Sequence, residues 1–245
     1  MKEKFTNLFN KLNPWFDKLG ANPYLQAISG AMMATLGPLF IGSMSVLIVV
    51  LMGMVPALAK LDKLTELLSK VNTMTLGALA VYIAVLIAYH LVKKLDEDED
   101  PISASVISLI SFLIITPLGK MADDSMGIPT NWLGAQGVFS ALIVGIVSAR
   151  LYSAIKHRGW TIKMPAGVPP MVTKTFEALI PTILIGLLFA IVDLLFSLTA
   201  FGSMHQFVYS IIQEPLKGVG GSIAVMILLS LLQQVLWFFG IHGPM

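Results

Sequence analysis

Apolar positions in this chain rarely alternate with polar ones; they run on in long blocks. No charged residue lies between Lys18 and Lys60. That stretch exceeds the roughly 20 apolar residues needed to cross a hydrocarbon core about 30 Å thick. Gly30, Gly37-Pro38, Gly42 and Gly53 punctuate it and Pro56 stops it. It therefore reads as one long kinked helix, or a broken one, from about Tyr24 to Val55. Further charge-free runs predict a second span over Thr73–Val92, a short third over Ile102–Leu118 and a fourth over Trp132–Ser148 that continues past Arg150. A fifth covers Phe176–Ala200, interrupted only by Asp193, and a sixth Ser222–Phe239. Asp100 followed by Pro101 predicts an N-cap with proline at the first helical position, so the third helix starts there.

The first twenty residues follow another pattern. Phe5, Leu8, Phe9, Leu12, Phe16 and Leu19 recur at helical spacing, while Lys4, Lys11, Asp17 and Lys18 occupy other faces. Such a segment lies in the membrane interface, divided into two pieces at Pro14. It lacks the apolar core and small-residue cleavage site of a signal peptide. The predicted fold class is an all-α membrane protein, a polytopic bundle of about six transmembrane helices preceded by an interfacial amphipathic helix.

Composition agrees with this pattern. Of 245 residues, 56% are apolar and 12% charged, against about 45–50% and 25% in a soluble domain. The mean hydropathy is +0.82. These values exclude an ordinary soluble enzyme, and 16 basic against 14 acidic residues are too balanced for a nucleic-acid partner. The partner implied is the lipid bilayer. With no cysteine there is no disulfide, thiolate metal site or phosphocysteine in this chain. Four scattered histidines argue against a metal cluster. No Gly-rich phosphate loop, HExxH pair or nucleophile elbow is present, so no cofactor is expected.

Loop charge sets the orientation. Lys2, Lys4, Lys11, Lys18, Lys93, Lys94, Arg150, Lys156, Arg158, Lys163 and Lys174 fall on one predicted side, and Lys60, Lys63, Lys70, Lys120 and Lys217 on the other. The excess predicts a cytoplasmic N-terminus. The acidic run Asp96–Asp100 then faces the cytoplasm, where it reads as a solvated loop, with a partner contact as the alternative.

Candidate chemistry is sparse. An apolar helix runs through Gln233, Gln234 and Trp237 straight into Gly240-Ile241-His242-Gly243. Glycines beside His242 let the backbone leave helical geometry, tolerated at membrane depth only inside protein or against a water-filled cavity. An imidazole there suits a sugar hydroxyl, or it is a boundary histidine satisfied by water. Asp193 is either an ion or proton site or a buried acid bonded to a neighbouring helix. Gln233 and Gln234 read as interhelical hydrogen-bond donors, and Gly30 and Gly37 as close-packing positions. His90 reads as interfacial, and His157 and His205 as loop or interface residues. The proline-rich stretch Met164–Pro170 reads as a hinge, after which Lys174 and Glu177 share a helix face.

Several segments occur together in a familiar order: Asn22-Pro23-Tyr24-Leu25-Gln26-Ala27-Ile28; Met164-Pro165 to Val168-Pro169-Pro170 with Phe176 and Leu179-Ile180-Pro181; and Trp237 with Gly240-Ile241-His242-Gly243. In these the chain resembles the membrane subunit, enzyme IIC, of the lactose/cellobiose (N,N'-diacetylchitobiose) branch of the bacterial sugar phosphotransferase system. The resemblance implies a multi-pass bacterial plasma-membrane permease, homodimeric through its N-terminal helices. A β-linked disaccharide is bound in a transport domain with two re-entrant hairpins, moved inward, and phosphorylated on its 6-hydroxyl by a phosphorylated IIB protein. The missing cysteine agrees with IIB being a separate chain.

On the family pattern His242 contacts the sugar near the reacting hydroxyl, with Gly240 and Gly243 as its backbone supports. The implied division is residues 1–20 interfacial, 21–200 the N-terminal transmembrane and dimerisation domain, and 201–245 a linker helix, the sixth span and the start of a truncated transport domain. Full family members are considerably longer, so the expectation is an N-terminal portion, inactive alone. The catalytic residue is left unassigned, because the sugar-binding glutamate of the family lies in the second hairpin. Two other readings stand beside this one: an ion- or proton-coupled secondary transporter using Asp193, and a non-catalytic membrane dimerisation module.

Overall fold

The fold was described from a computed structural model, which describes residues 18, 20–120, 124–165, 167–214 and 222–238. The interfacial segment expected over residues 1–20 and the Gly240–Gly243 motif fall outside them, except for Lys18 and Gly20. The order is α1 (Pro23–Ala34), α2 (Leu36–Gly53), α3 (Asp62–Thr75), a 3-10 turn (Leu76–Ala78), α4 (Leu79–Leu95) and α5 (Pro101–Ile114). A two-residue hairpin follows, β1 (Gly119–Lys120) antiparallel to β2 (Met126–Gly127), with Gly119 opposite Gly127 and Lys120 opposite Met126. Next come α6 (Thr130–Leu133), a 3-10 turn (Ala135–Gly137), α7 (Val138–His157), α8 (Pro170–Ser197), α9 (Met204–Val208) with a π-helical turn (Tyr209–Gln213), and α10 (Ile223–Phe238).

Among the described residues, four helical stretches are long and apolar enough to cross a membrane: Pro23–Gly53, Asp62–Leu95, Ala135–His157 and Pro170–Ser197. The expected third and sixth spans appear as α5, 14 residues long, and α10, 16 residues long. The first span is broken at Thr35, whose hydroxyl turns back onto the Met32 carbonyl. The second departs from expectation. Helix begins at Asp62, and the apolar run from Thr73 covers the end of α3, a 3-10 turn and only then α4. α3 is amphipathic and exposes Leu64 and Leu67, a surface that hydropathy alone assigns to no span.

α4 is the centre of the packing, flanked by α1, α5 and α7. It buries Ala80, Ala84 and Ala88 together with Ile83, Ile87, Leu91 and Val92. α7 presents Ala141, Gly145 and Ala149, also four apart, and buries Ser140, Ser148 and Ser153. Small residues at that spacing let two backbones approach, and in lipid, dispersion across such a seam replaces the hydrophobic drive available in water. The approach is tight: a Cβ added to Gly145 would lie 3.0 Å from the Ile87 Cβ and 3.2 Å from the Ala84 carbonyl oxygen. From α5 the Ser108 hydroxyl donates to the same Ala84 carbonyl at 2.7 Å. α1 buries Ala27 and Ala31 and sets Gly30 against the His90 ring. Gly37, by contrast, has no neighbour within 4 Å of an added Cβ among the described residues, so close packing does not explain it.

The predicted cap is present: Asp100 accepts from the Ile102 and Ser103 amides at 3.2 Å, and Pro101 opens α5. The ends of α4 and α7 and the starts of α1, α5 and α8 share one end of the bundle, as the Asp96–His157 contact and Arg150 over the Tyr24 ring indicate. Lys93, Lys94, Lys156 and Arg158 lie there too. Outward-facing side chains on α2 and α8 are large and apolar, among them Phe40, Val50, Ile183 and Leu187. Such faces suit lipid or another apolar surface.

The seam predicts an asymmetric response to added methyl groups. Gly145→Val overpacks α4 against α7 and lowers stability by about 1–3 kcal/mol. Gly186→Ala on α8, whose added Cβ would come no closer than 4.0 Å to Ile114, leaves it unchanged or raises it by up to ~1 kcal/mol. Thermal unfolding in one detergent measures both.

Candidate functional site

Of the residues the sequence singles out for chemistry, His242, Gly240 and Gly243 lie beyond the described residues, whose last helix ends at Phe238. Gln234 is exposed on α10. Asp193 is half-buried on α8 and has no hydrogen-bond partner among the described residues. The structure does bring other polar groups together, at both ends of the bundle.

At the charged end, the loop from α4 to α5 meets α7. Asp96 Oδ2 lies 3.1 Å from His157 Nε2, and Oδ1 accepts from the Asp98 amide at 3.0 Å. That amide, and after it the His157 contact, hold the Asp96 carboxyl below the usual carboxylate range. Glu99 is buried, accepting from the Ser153 hydroxyl at 2.6 Å through Oε2. The acidic run is thus no simple solvated loop: Asp96 is half-buried, Glu99 buried and Asp100 spent on a helix cap, while Glu97 and Asp98 face water. One turn away, Lys156 Nζ pairs with Glu177 Oε2 at 3.2 Å, tying the end of α7 to α8. Glu177 is therefore matched across helices. The proline-rich stretch between α7 and α8 is irregular, with Gly167 at φ +100, a conformation that side-chain-bearing residues rarely adopt. The turn ends where Pro170 opens α8.

The opposite end holds a histidine that sequence reading misplaced. His205 was expected in a loop or at the interface, yet its side chain is fully buried. It stacks on Trp132 with ring centroids 5.5 Å apart and meets Phe112 edge-on at 5.1 Å. Thr116 Oγ1 lies 3.0 Å from His205 Nε2 and also 2.7 Å from the Phe112 carbonyl. If the hydroxyl donates to the carbonyl, the ring carries its proton on Nε2, which leaves Nδ1 a bare acceptor in apolar surroundings. Burial pushes this imidazole down to about 4. The aromatic box, absent from any local motif, pins α9 and its π-helical turn to the ends of α5 and α6. Trp132 also meets the Tyr209 ring edge-on at 6.0 Å.

Beside it, Asn72, Thr73, Thr130, Asn131 and Gln136 line an open crevice of about 570 Å³. Its amides and hydroxyls can donate to and accept from polyhydroxy ligands.

The description "Phosphotransferase system, EIIC" belongs to a family model that matches residues 29–245. The chain belongs to that family. It is 34% identical over 249 residues to the PTS system oligo-beta-mannoside-specific EIIC component of Bacillus subtilis (strain 168), covering 98% of this chain and 55% of the relative. It is 33% identical over 257 residues to the PTS system cellobiose-specific EIIC component of Geobacillus stearothermophilus, covering 96% and 55%. Among solved structures, it matches the transporter ChbC, the IIC component from the N,N'-diacetylchitobiose-specific phosphotransferase system, with a TM-score of 0.84 and 31% identity over 96% of this chain and 57% of that one. The chain spans about half the length of the curated relatives it matches. The EIIC fold is accordingly helical here, and the described residues form the bundle that precedes the Gly240–Gly243 motif.

The buried His205 gives this EIIC chain a pH signature. Its folded pKa lies below the unfolded value of about 6.5, so the unfolded chain binds the extra proton first and stability falls as pH drops from about 6.5 toward 4. Between pH 6.5 and 5 the loss is about 2 kcal/mol. His205→Gln is less stable at pH 7 but has a flatter profile, measured as melting temperature against pH in detergent.

Proposed function

We propose that this chain is the membrane permease component of a sugar phosphotransferase system. It translocates a β-linked disaccharide of the cellobiose, lactose or diacetylchitobiose class across the bacterial plasma membrane, coupled to phosphorylation of the sugar. The observation that carries this reading is the agreement in fold with a IIC transporter over 96% of the chain. The donor is a phosphorylated IIB component, since none of these 245 residues is a cysteine that could carry the phosphoryl group. In the transfer, the phosphorus–sulfur bond of the donor breaks and a bond forms to the 6-oxygen of the sugar. The hydroxyl proton passes to a general base. Such a step depends on positioning and on stabilising charge at the reacting oxygens.

Within that reaction His242 orients the 6-hydroxyl, and Gly240 and Gly243 allow the backbone to approach the sugar. Residues 21–200 form the transmembrane scaffold and 201–245 lead into the transport domain. The N-terminus is cytoplasmic. The clustering of Lys93, Lys94, Lys156 and Arg158 at the end of the bundle where α1 starts supports this, because basic residues are retained on the cytoplasmic side. The exposed apolar face of α2, with Phe40 and Val50, supports a homodimer through the N-terminal helices.

The test is uptake of labelled cellobiose and diacetylchitobiose by cells that supply the IIA and IIB proteins and express this permease at full length. Sugar phosphate accumulates, dependent on phosphoenolpyruvate, and His242→Ala lowers it about 10- to 100-fold through the lost hydrogen bond. Entry of unmodified sugar that collapses with the proton gradient, and is abolished by Asp193→Asn, refutes the reading and favours secondary transport. Stable dimers with no sugar binding favour a dimerisation module.

A further inference from the structure

We propose that Asp96, Glu99 and His157 form a binding site for a divalent transition-metal ion of the zinc class, stapling the α4–α5 loop to the end of α7. The sequence hides it: 61 residues separate Asp96 from His157, so no local spacing marks the set.

The donor atoms converge. His157 Nε2 lies 3.1 Å from Asp96 Oδ2 and 4.0 Å from Glu99 Oε1, and one ligand atom from each residue falls within 4.8 Å of the others. In a four-coordinate zinc site with bonds of about 2.0–2.2 Å, neighbouring donors sit about 3.3 Å apart. A small rotation of Glu99 closes the difference. The side chains are also held the way metal ligands are held. Asp96 commits Oδ1 to the Asp98 amide and presents Oδ2. Glu99 commits Oε2 to Ser153, one turn before His157 on the same helix, and presents Oε1.

Glu99 carries the argument. Its side chain is 5% exposed, and Oε1 has no hydrogen-bond partner among the described residues while facing the cluster. A buried carboxylate oxygen without a donor is costly unless a cation satisfies it. The protein cations nearby do so poorly. Lys156 is engaged by Glu177 at 3.2 Å, and His157 Nε2 faces Asp96 Oδ2 at 3.1 Å while standing 4.0 Å from Glu99 Oε1, too far for a hydrogen bond. Two carboxylates and one neutral imidazole match a divalent charge and suit zinc, cobalt or nickel. Calcium and magnesium prefer oxygen-only sets of higher coordination. The His157 side chain, 61% exposed, leaves an access path and an open position for water.

The experiment titrates zinc chloride into the chelator-stripped full chain, purified in detergent without a histidine tag, with cobalt chloride as a spectroscopic probe. One zinc binds per chain in the micromolar range and raises the melting temperature, and cobalt gives a visible absorption band. His157→Ala, at an exposed position, and Glu99→Gln, which keeps the bond to Ser153, each weaken binding at least about tenfold and remove the band. Asp124→Asn, at the opposite end of the bundle, binds as the parent does. Absence of stoichiometric zinc, or parental affinity in either the His157 or the Glu99 variant, overturns the site.

Discussion

Everything in this fold rests on the close approach of α4 to α7. Hydrocarbon offers backbone groups no hydrogen bonds, so each crossing segment becomes helical. Helices already surrounded by apolar solvent gain little by hiding leucines from it. What holds them is contact between surfaces small enough to touch. Ala80, Ala84 and Ala88 meeting Ala141, Gly145 and Ala149 supply that contact, and α1 and α5 pack around the same helix with Ala31 and Ser108. Many large apolar side chains, such as Phe40 and Ile183, are also turned outward, as they rarely are in a soluble domain.

The seam also explains where polar groups gather. Close packing along the middle of α4 and α7 leaves their ends to be tied by side chains. At one end Asp96, Glu99, Ser153 and His157 meet, and the Lys156–Glu177 pair adds α8. At the other, Thr116, His205 and Trp132 fasten α9. Both ties join residues far apart in sequence, at opposite ends of the α4–α7 seam. In the interior between them, some hydroxyls bond within their own helix, such as Ser111 on the Ile107 carbonyl at 2.8 Å, and Ser108 bonds across to α4. The sugar chemistry proposed for this family member thus sits on a scaffold braced at both ends.

Much of the scaffold was legible from residues alone, because a run of apolar residues without charge has few physical outcomes. The cap at Asp100, a kink or break in the first span and the continuation of α7 past Arg150 all followed from side-chain chemistry at known positions. What the chain pattern could not convey was tertiary. The amphipathic α3 balances polar and apolar faces and so drops below any hydropathy threshold. His205 looked like a loop residue because its partners, Phe112, Thr116 and Trp132, are some 70 to 90 positions away. Glu99 looked solvated within a run of five acids, since nothing nearby announces Ser153. The resemblance to enzyme IIC named the family and put His242 forward as a sugar ligand, while the described residues stop short of that motif.

Because the chain has no cysteine, the seam can be tested without background. A Cβ at position 145 would stand 3.0 Å from that of Ile87, close to the roughly 3.5–4.5 Å that a disulfide spans. In membranes treated with a mild oxidant, the paired variant Ile87→Cys/Gly145→Cys is predicted to form an intramolecular disulfide. It should shift mobility on a non-reducing gel and recover with reductant, while neither single variant changes. If the paired variant inserts normally and its two thiols stay free, α4 and α7 do not meet as described.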